Sequence, residues 1–157
     1  MDGPSGAGKT TFAEQLAREL GAQLISTDHF ATWDDPTTRW WPRLDQALRA
    51  VASGREGTYR KTDWSPGFPC VEEGDEVTIR PQGTIVLEGF SSARKANTHL
   101  SYRVFVDHGD EAARLERAVA RDGESQREHL RRWQQYECGW FAVDETRARA
   151  DYVVTSS

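Results

Sequence analysis

The chain has 157 residues, which is enough for one domain with a hydrophobic core. Its formal net charge of −5 argues against a protein that coats nucleic acid or an anionic membrane, and its apolar runs are too short to span a bilayer. Two cysteines, Cys70 and Cys138, lie far apart without metal-ligand spacing, so we expect a cytoplasmic protein with reduced thiols.

Residues 3–10 read Gly-Pro-Ser-Gly-Ala-Gly-Lys-Thr, the G-x-x-x-x-G-K-[ST] pattern of a phosphate-binding loop, or P-loop. Glycines let backbone N–H groups face phosphate oxygens, the lysine adds positive charge, and the threonine hydroxyl binds Mg²⁺. The alternative is a glycine turn that opens an ordinary helix. The pattern predicts catalytic Lys9, Mg²⁺ at Thr10, and ATP contacts from Gly3, Ser5, Gly6, Ala7, Gly8, Lys9, Thr10 and Thr11.

Helices and strands are predicted to alternate along the rest of the chain. Apolar spacing predicts helices over 9–20, where Phe12, Leu16 and Leu20 share one face, near 44–51, after Asp110, and around 130–140. Short apolar segments predict strands near 22–26, 84–88, 102–107 and 152–155. This alternation is typical of an α/β protein, and together with the loop it predicts a three-layer α/β/α P-loop NTPase fold in one domain over 1–157.

One element of that fold is expected to be missing. A P-loop normally follows a buried strand, but only Met1 and Asp2 precede Gly3. That strand would lie between the strands that end at Glu88 and Asp107. We therefore expect the backbone groups facing this position to lack partners.

Acidic residues follow three of the predicted strands, at Asp28, Glu88 and Asp107. Ligands collect at the carboxyl ends of strands in such sheets, so these acids are candidates for chemistry. We predict that Asp28 is a catalytic base for a substrate hydroxyl and that Glu88 binds Mg²⁺. The structural alternative, in which the acid caps a loop, is favoured for Asp107.

Residues 54–83 are rich in glycine, proline and charge, and a short antiparallel strand is predicted at 77–79. Aromatic faces suit a planar base, so we predict a nucleoside-binding insert in this segment. The alternative for each aromatic ring is ordinary core packing. The predicted substrate-binding residues are Asp28, Trp33, Tyr59, Trp64 and Glu88.

Arginines flank a break at Asp122-Gly123 between the last two predicted helices. An arginine on a mobile segment over ATP would neutralise the transferred phosphoryl group. We predict a short lid over 121–132, with Arg121 catalytic and both Arg121 and Arg127 bound to ATP. The alternative is a solvated face on which these arginines pair with Glu116, Glu124 and Glu128.

The order of these pieces resembles the uridine kinase-like branch of P-loop nucleoside and nucleotide kinases, of the actinobacterial type. The resemblance spans nearly the whole chain and is carried by GPSGAGKT, STDHF, TYRKTDW, IVLEG, ARDGE and TRARADYVV. It implies that Asp28 activates a nucleoside 5′-hydroxyl and that residues 59–64 receive the nucleoside. It also implies that Arg121 opens the lid over ATP and that residues 147–151 lie beside the adenine.

Together these expectations describe a kinase that uses ATP and Mg²⁺ to phosphorylate a nucleoside 5′-hydroxyl. Uridine and cytidine are the first candidates for the acceptor. One alternative is a nucleoside monophosphate kinase with a CMP-, dCMP- or AMP-like acceptor, whose phosphate Arg60 and Lys61 could bind. Another is an inactive nucleotide-binding protein. We expect small nucleosides or nucleotides as partners, neither nucleic acid nor membrane, and leave a homodimer open.

Overall fold

The computed structural model describes residues 1–33, 40–67, 70–108 and 110–155. Backbone contacts divide the chain into two compact units. The loop unit comprises Met1–Gln15 and Glu88–Ser157, and the hairpin unit comprises Leu16–Leu87. The single domain over 1–157 stays a prediction.

Helix α1 (Lys9–Leu20) has the predicted bounds and ends before Gly21, whose φ of +59° suits a glycine. The predicted apolar face is wrong, however, because Phe12 is 36% and Leu20 53% exposed. The buried positions are Ala13 and Ala17, since small side chains let a helix approach its neighbours closely.

The hairpin unit contains two pairs of strands and a helix. Strand β1 (Gln23–Ser26) pairs with β4 (Ile85–Glu88), and α2 (Trp41–Ala52) buries Leu44, Ala47 and Leu48. Strands β2 (Gly57–Asp63) and β3 (Glu72–Ile79) form an antiparallel hairpin within the predicted insert, where only residues 77–79 were expected to be a strand. Two residues of that insert, Phe68 and Pro69, lie outside the described residues.

The loop unit contains a parallel strand pair and two long helices. Strand β5 (Val104–Asp107) pairs with β6 (Tyr152–Thr155), as the predicted α/β class requires. Helices α3 (Glu111–Asp122) and α4 (Arg127–Asp144) share a buried cluster of Leu115, Ala118, Val119 and Leu130. Asp110 caps α3 as predicted, because its carboxylate accepts hydrogen bonds from the N–H groups of Ala112 and Ala113.

Met1 and Asp2 contact the backbone at the position expected to be vacant. Asp2 forms a parallel bridge with Phe105, with an Asp2 N to Val104 O distance of 2.9 Å. The carbonyl of Met1 accepts a hydrogen bond from Gly89 N at 3.1 Å. The expectation that these backbone groups lack partners is therefore wrong for Val104, Val106 and Gly89. The pairing is an isolated bridge, and no full strand occupies this position among the described residues, as expected for a missing strand.

The cysteines are both free and exposed, at Cys70 and Cys138. None of the helices that the structure describes is both long and apolar enough to cross a membrane.

Asp2 is a buried carboxylate that ties the start of the P-loop to the loop after β4. Its oxygens accept hydrogen bonds from Gly3 N, Ser91 N and Ala93 N at 2.8, 3.0 and 2.9 Å. Burial raises the pKa of this carboxyl group, and the hydrogen bonds oppose that shift. Asp2→Ala should leave three buried N–H groups unpaired and lower stability by about 3 kcal/mol or more.

For a chain of this size, a loss of about 3 kcal/mol corresponds to a melting temperature lower by roughly 6–12 °C. Thermal unfolding followed by circular dichroism measures it. Asp75→Ala is the matched control, because the Asp75 side chain is 85% exposed and its ion pair with Lys61 should contribute little. Equal melting temperatures for the two variants would show that the Asp2 hydrogen bonds add no stability.

Candidate functional site

The P-loop backbone requires glycine at two positions for steric reasons. Gly3 and Gly6 have φ of +143° and +76°. A Cβ at Gly3 would lie 2.1 Å from the carbonyl oxygen of Val106, and one at Gly6 would lie 2.3 Å from that of Arg114. The loop then enters α1 at Lys9, so the unpaired N–H groups of the first helical turn point towards the loop. This is the geometry of a phosphate-binding site.

The two predicted Mg²⁺ ligands are brought together in the loop unit. The Thr10 hydroxyl donates a hydrogen bond to Glu88 Oε2 at 3.3 Å, and Glu88 is only 3% exposed. Hydroxyl and carboxylate oxygens are donors that Mg²⁺ prefers, and Mg²⁺ commonly uses one or two protein ligands alongside phosphates and water. Within the described ranges there is no cluster of three or more His, Cys, Asp or Glu that could hold a metal alone. The residues therefore fit a nucleotide-bound Mg²⁺.

Lys9 lies over the loop itself. Its ammonium group donates a hydrogen bond to the carbonyl oxygen of Pro4 at 2.9 Å. The side chain is partly exposed, so the ammonium group can leave this carbonyl for a phosphate oxygen. Thr11 follows in the first turn of α1 and is exposed.

Two further contacts with the P-loop come from Arg117 and Glu137, which no local sequence pattern marks as site residues. Arg117 Nε donates to the carbonyl oxygen of Gly6 at 2.7 Å, and its Nη1 lies 2.8 Å from His108 Nε2. Glu137 on α4 accepts hydrogen bonds from Ser5. Both contacts join residues more than one hundred positions apart in the sequence, so local patterns do not predict them.

The predicted lid arginines are engaged in ion pairs. Arg121 binds the carboxylate of Asp122 through two hydrogen bonds of 2.6 Å. Arg127 binds Glu116 at 2.5 Å and Glu124 at 2.6 Å, and these bonds lower the pKa of both glutamates. This is the pairing expected of a solvated face, and ATP contacts from Arg121 and Arg127 stay a prediction.

Asp107, the least favoured of the three acids, also lies among arginines. Its carboxylate accepts a hydrogen bond from Arg147 Nε at 3.1 Å and lies 4.0 Å from Arg114 Nη1. Both contacts are ion pairs with arginine side chains, and the interpretation of Asp107 as a loop cap stays a prediction.

In the hairpin unit, Asp28 and two tryptophans lie close together. Asp28 is exposed in a 3-10 helix (Thr27–His29) that directly follows β1. The indole N–H of Trp64 donates to the backbone carbonyl of Asp28 at 3.0 Å, and Trp33 packs edge-on against Trp64 with centroids 5.0 Å apart. The structure thus places the indole of Trp64 on the backbone of Asp28 and the indole of Trp33 against that of Trp64.

Tyr59 is part of the core of the hairpin unit. It is 6% exposed, its ring centroid lies 4.4 Å from that of Phe30, and burial raises the pKa of its hydroxyl. The hydroxyl lies 2.8 Å from Nδ1 of His29, whose pKa burial lowers. Tyr59 therefore packs as the alternative interpretation expects, and it also orients the residue next to Asp28.

The cations considered for a phosphate acceptor are paired with acids on β3. Arg60 Nε lies 3.8 Å from Glu73 Oε2, and Lys61 Nζ lies 3.1 Å from Asp75 Oδ2. These pairings do not favour Arg60 and Lys61 as a phosphate site.

Comparisons with known proteins identify the fold. A family model described as an AAA domain matches residues 1–65. A solved structure described as a possible uridine kinase from Bacillus stearothermophilus is similar over 98% of this chain and 85% of its own, with a TM-score of 0.67. The chain has the P-loop kinase fold. The sequence identity to that structure is 18%, and no curated protein matches the chain.

The P-loop kinase fold agrees with the resemblance to uridine kinase-like proteins that the sequence motifs carry. It includes a P-loop, here residues 3–10, and α/β architecture with parallel strands. At this level of identity, the activity and acceptor of this chain are questions for its own residues.

Proposed function

We propose that the chain is an ATP- and Mg²⁺-dependent kinase that transfers the γ-phosphoryl group to a nucleoside 5′-hydroxyl. Uridine or cytidine is the first candidate acceptor. The observation that carries the proposal is Asp28, an exposed residue that follows β1, with the indole of Trp64 bonded to its backbone carbonyl and Trp33 packed against Trp64. An exposed base suits a hydroxyl acceptor, and stacked or edge-on rings suit a planar nucleobase.

The residues of the P-loop would bind the triphosphate. N–H groups from Gly6 to Thr10 would contact the phosphate oxygens, and Lys9 would exchange its bond to Pro4 for the β- and γ-phosphates. Thr10 and Glu88 would hold Mg²⁺, which neutralises charge on the β- and γ-phosphate oxygens when bound.

In the reaction itself, a bond forms between the 5′-oxygen and the γ-phosphorus, and the bond from that phosphorus to the bridging oxygen of ADP breaks. The Asp28 carboxylate would accept the proton of the 5′-hydroxyl. Arg121 would neutralise charge on the transferred group after leaving Asp122. The binding partners of the protein would be small molecules, namely a nucleoside or a nucleotide.

An acceptor panel with ATP and Mg²⁺ tests the proposal. ADP release should depend on a nucleoside, and phosphorus NMR should show a nucleoside 5′-monophosphate as the product. EDTA should stop the reaction, because Mg²⁺ neutralises the phosphates. Turnover with CMP, dCMP or AMP alone would instead indicate a monophosphate kinase. ATP binding without turnover on any acceptor would indicate an inactive nucleotide-binding protein.

A further inference from the structure

Glu137 is a buried carboxylate in the middle of α4 that contacts the P-loop. It is 1% exposed. Both of its oxygens accept from Ser5 N at 3.0 Å, and Oε1 also accepts from the Ser5 hydroxyl at 2.6 Å. The indole N–H of Trp133, one helical turn earlier, donates to the same oxygen at 2.8 Å. Three donors therefore converge on one carboxylate, and two of them belong to a P-loop residue.

A carboxylate in this position must be stabilised by its surroundings. Burial raises the pKa of Glu137, while the charge of Lys9 and the hydrogen bonds from Ser5 and Trp133 oppose that shift. Burying a charged group is unfavourable even when it is paired. An apolar side chain that packs well at the same position often gives equal or greater stability. Helix packing alone is thus a poor explanation for glutamate at 137.

The contacts of Glu137 define the position of one loop residue in particular. Ser5 is directly followed by Gly6, whose φ of +76° begins the turn of the phosphate cradle. The N–H and the hydroxyl of Ser5 both donate to the Glu137 carboxylate, so the backbone and the side chain of Ser5 are fixed by the same group. The Trp133 indole also lies 3.0 Å from the Ser5 hydroxyl, which closes the cluster.

We propose that Glu137 is a positioning residue for the P-loop, which it holds ready for the nucleotide through Ser5. This inference rests on the ATP site of the proposed function. A loop that is already ordered loses less conformational entropy when a ligand binds, so its affinity is higher. Glu137 should therefore act on ATP affinity more than on the chemical step, because its hydrogen bonds to the P-loop go to Ser5 and not to the reacting groups.

The test compares Glu137→Gln and Ser5→Ala with wild type. A glutamine side chain keeps the shape but loses the charge and one acceptor oxygen, while Ser5→Ala removes only the hydroxyl donor. The Kd for a non-hydrolysable ATP analogue with Mg²⁺, measured by calorimetry, should rise roughly ten- to a hundredfold for Glu137→Gln. KM for ATP should rise in parallel, and kcat should change much less.

A matched control is Glu145→Gln, at the end of the same helix. Glu145 is 62% exposed and pairs with Lys95, so the same substitution there should leave ATP affinity unchanged. The double variant Ser5→Ala with Glu137→Gln should lose less affinity than the two single losses combined, because both act on one contact. A purely structural role would lower the melting temperature and the active fraction without moving the Kd of the folded protein.

The outcomes separate this inference from the proposed function. If wild type binds no ATP analogue, the proposed function fails, and the inference fails with it. If wild type binds the analogue and Glu137→Gln binds it equally well, only the inference is overturned. Should Glu137→Gln fail to fold, Ser5→Ala decides, since an unchanged Kd for that variant overturns the inference.

Discussion

Replacing Lys9 with alanine should reduce phosphoryl transfer by at least about 10³-fold while leaving the fold intact. The ammonium group is the one positive charge within the P-loop sequence, and the structure holds it on the Pro4 carbonyl at 2.9 Å. In the transition state, charge spreads over the oxygens of the transferred group, and a fixed cation stabilises it there. The side chain is partly exposed, so its removal opens little space in the core.

The measurement is ADP release at saturating acceptor, together with a thermal melt of the variant. Lys95→Ala is the matched control, because Lys95 is a half-exposed lysine in the same unit, paired with Glu145 at 2.7 Å. Its loss should leave turnover close to wild type. If Lys9→Ala kept wild-type turnover, residues 3–10 would be a glycine turn rather than a working P-loop.

The elements that could be predicted from the sequence are those set by local patterns. Helix α1 has its predicted bounds, and β1, β4, β5 and β6 lie where short apolar segments placed them. Strand β2 was missed because glycine and charge dominate the composition of its surroundings. Its alternation is visible only with the structure in hand, since Gly57 and Tyr59 are buried while Thr58 and Arg60 are exposed.

Parts of the candidate site could be predicted for the same reason. The P-loop is a contiguous motif, and the contact of Thr10 with Glu88 follows from the rule that ligands collect at strand ends. The contacts of Arg117 and Glu137 with the loop could not be predicted, because helix packing brings these distant residues together. Trp133 and Glu137 lie one turn apart on α4, and this spacing was the available clue. In a single sequence, however, two residues at this spacing cannot be told from neighbours on an ordinary helix face.

The effect of replacing Asp28 on kcat depends on whether the acceptor is a hydroxyl or a phosphate. A nucleoside hydroxyl loses a proton when it is phosphorylated, and a positioned carboxylate can take that proton. A phosphate acceptor is already ionised and has no need of such a base. Asp28→Asn should therefore lower kcat by roughly 10²–10⁴-fold with a nucleoside acceptor, with little change in ATP affinity.

Asp28→Asn should change the carboxylate without disturbing the contact of Asp28 with Trp64. Trp64 binds the backbone carbonyl of Asp28 rather than its carboxylate, so that contact survives the change to asparagine. Asp45→Asn is the matched control in the same unit, because the Asp45 side chain is 19% exposed and pairs with Arg49 on α2. The control should keep wild-type kcat, while a melt should show both variants folded.

Steady-state rates with varied ATP, nucleoside and Mg²⁺ distinguish the roles open to Asp28. A fall in kcat at unchanged KM for ATP and unchanged Mg²⁺ dependence identifies the base, because only the proton transfer has been weakened. A variant that regains activity at high Mg²⁺ would place Asp28 among the metal ligands instead. A wild-type rate with a nucleoside monophosphate, in a protein that ignores free nucleosides, would contradict the hydroxyl acceptor and favour the monophosphate kinase.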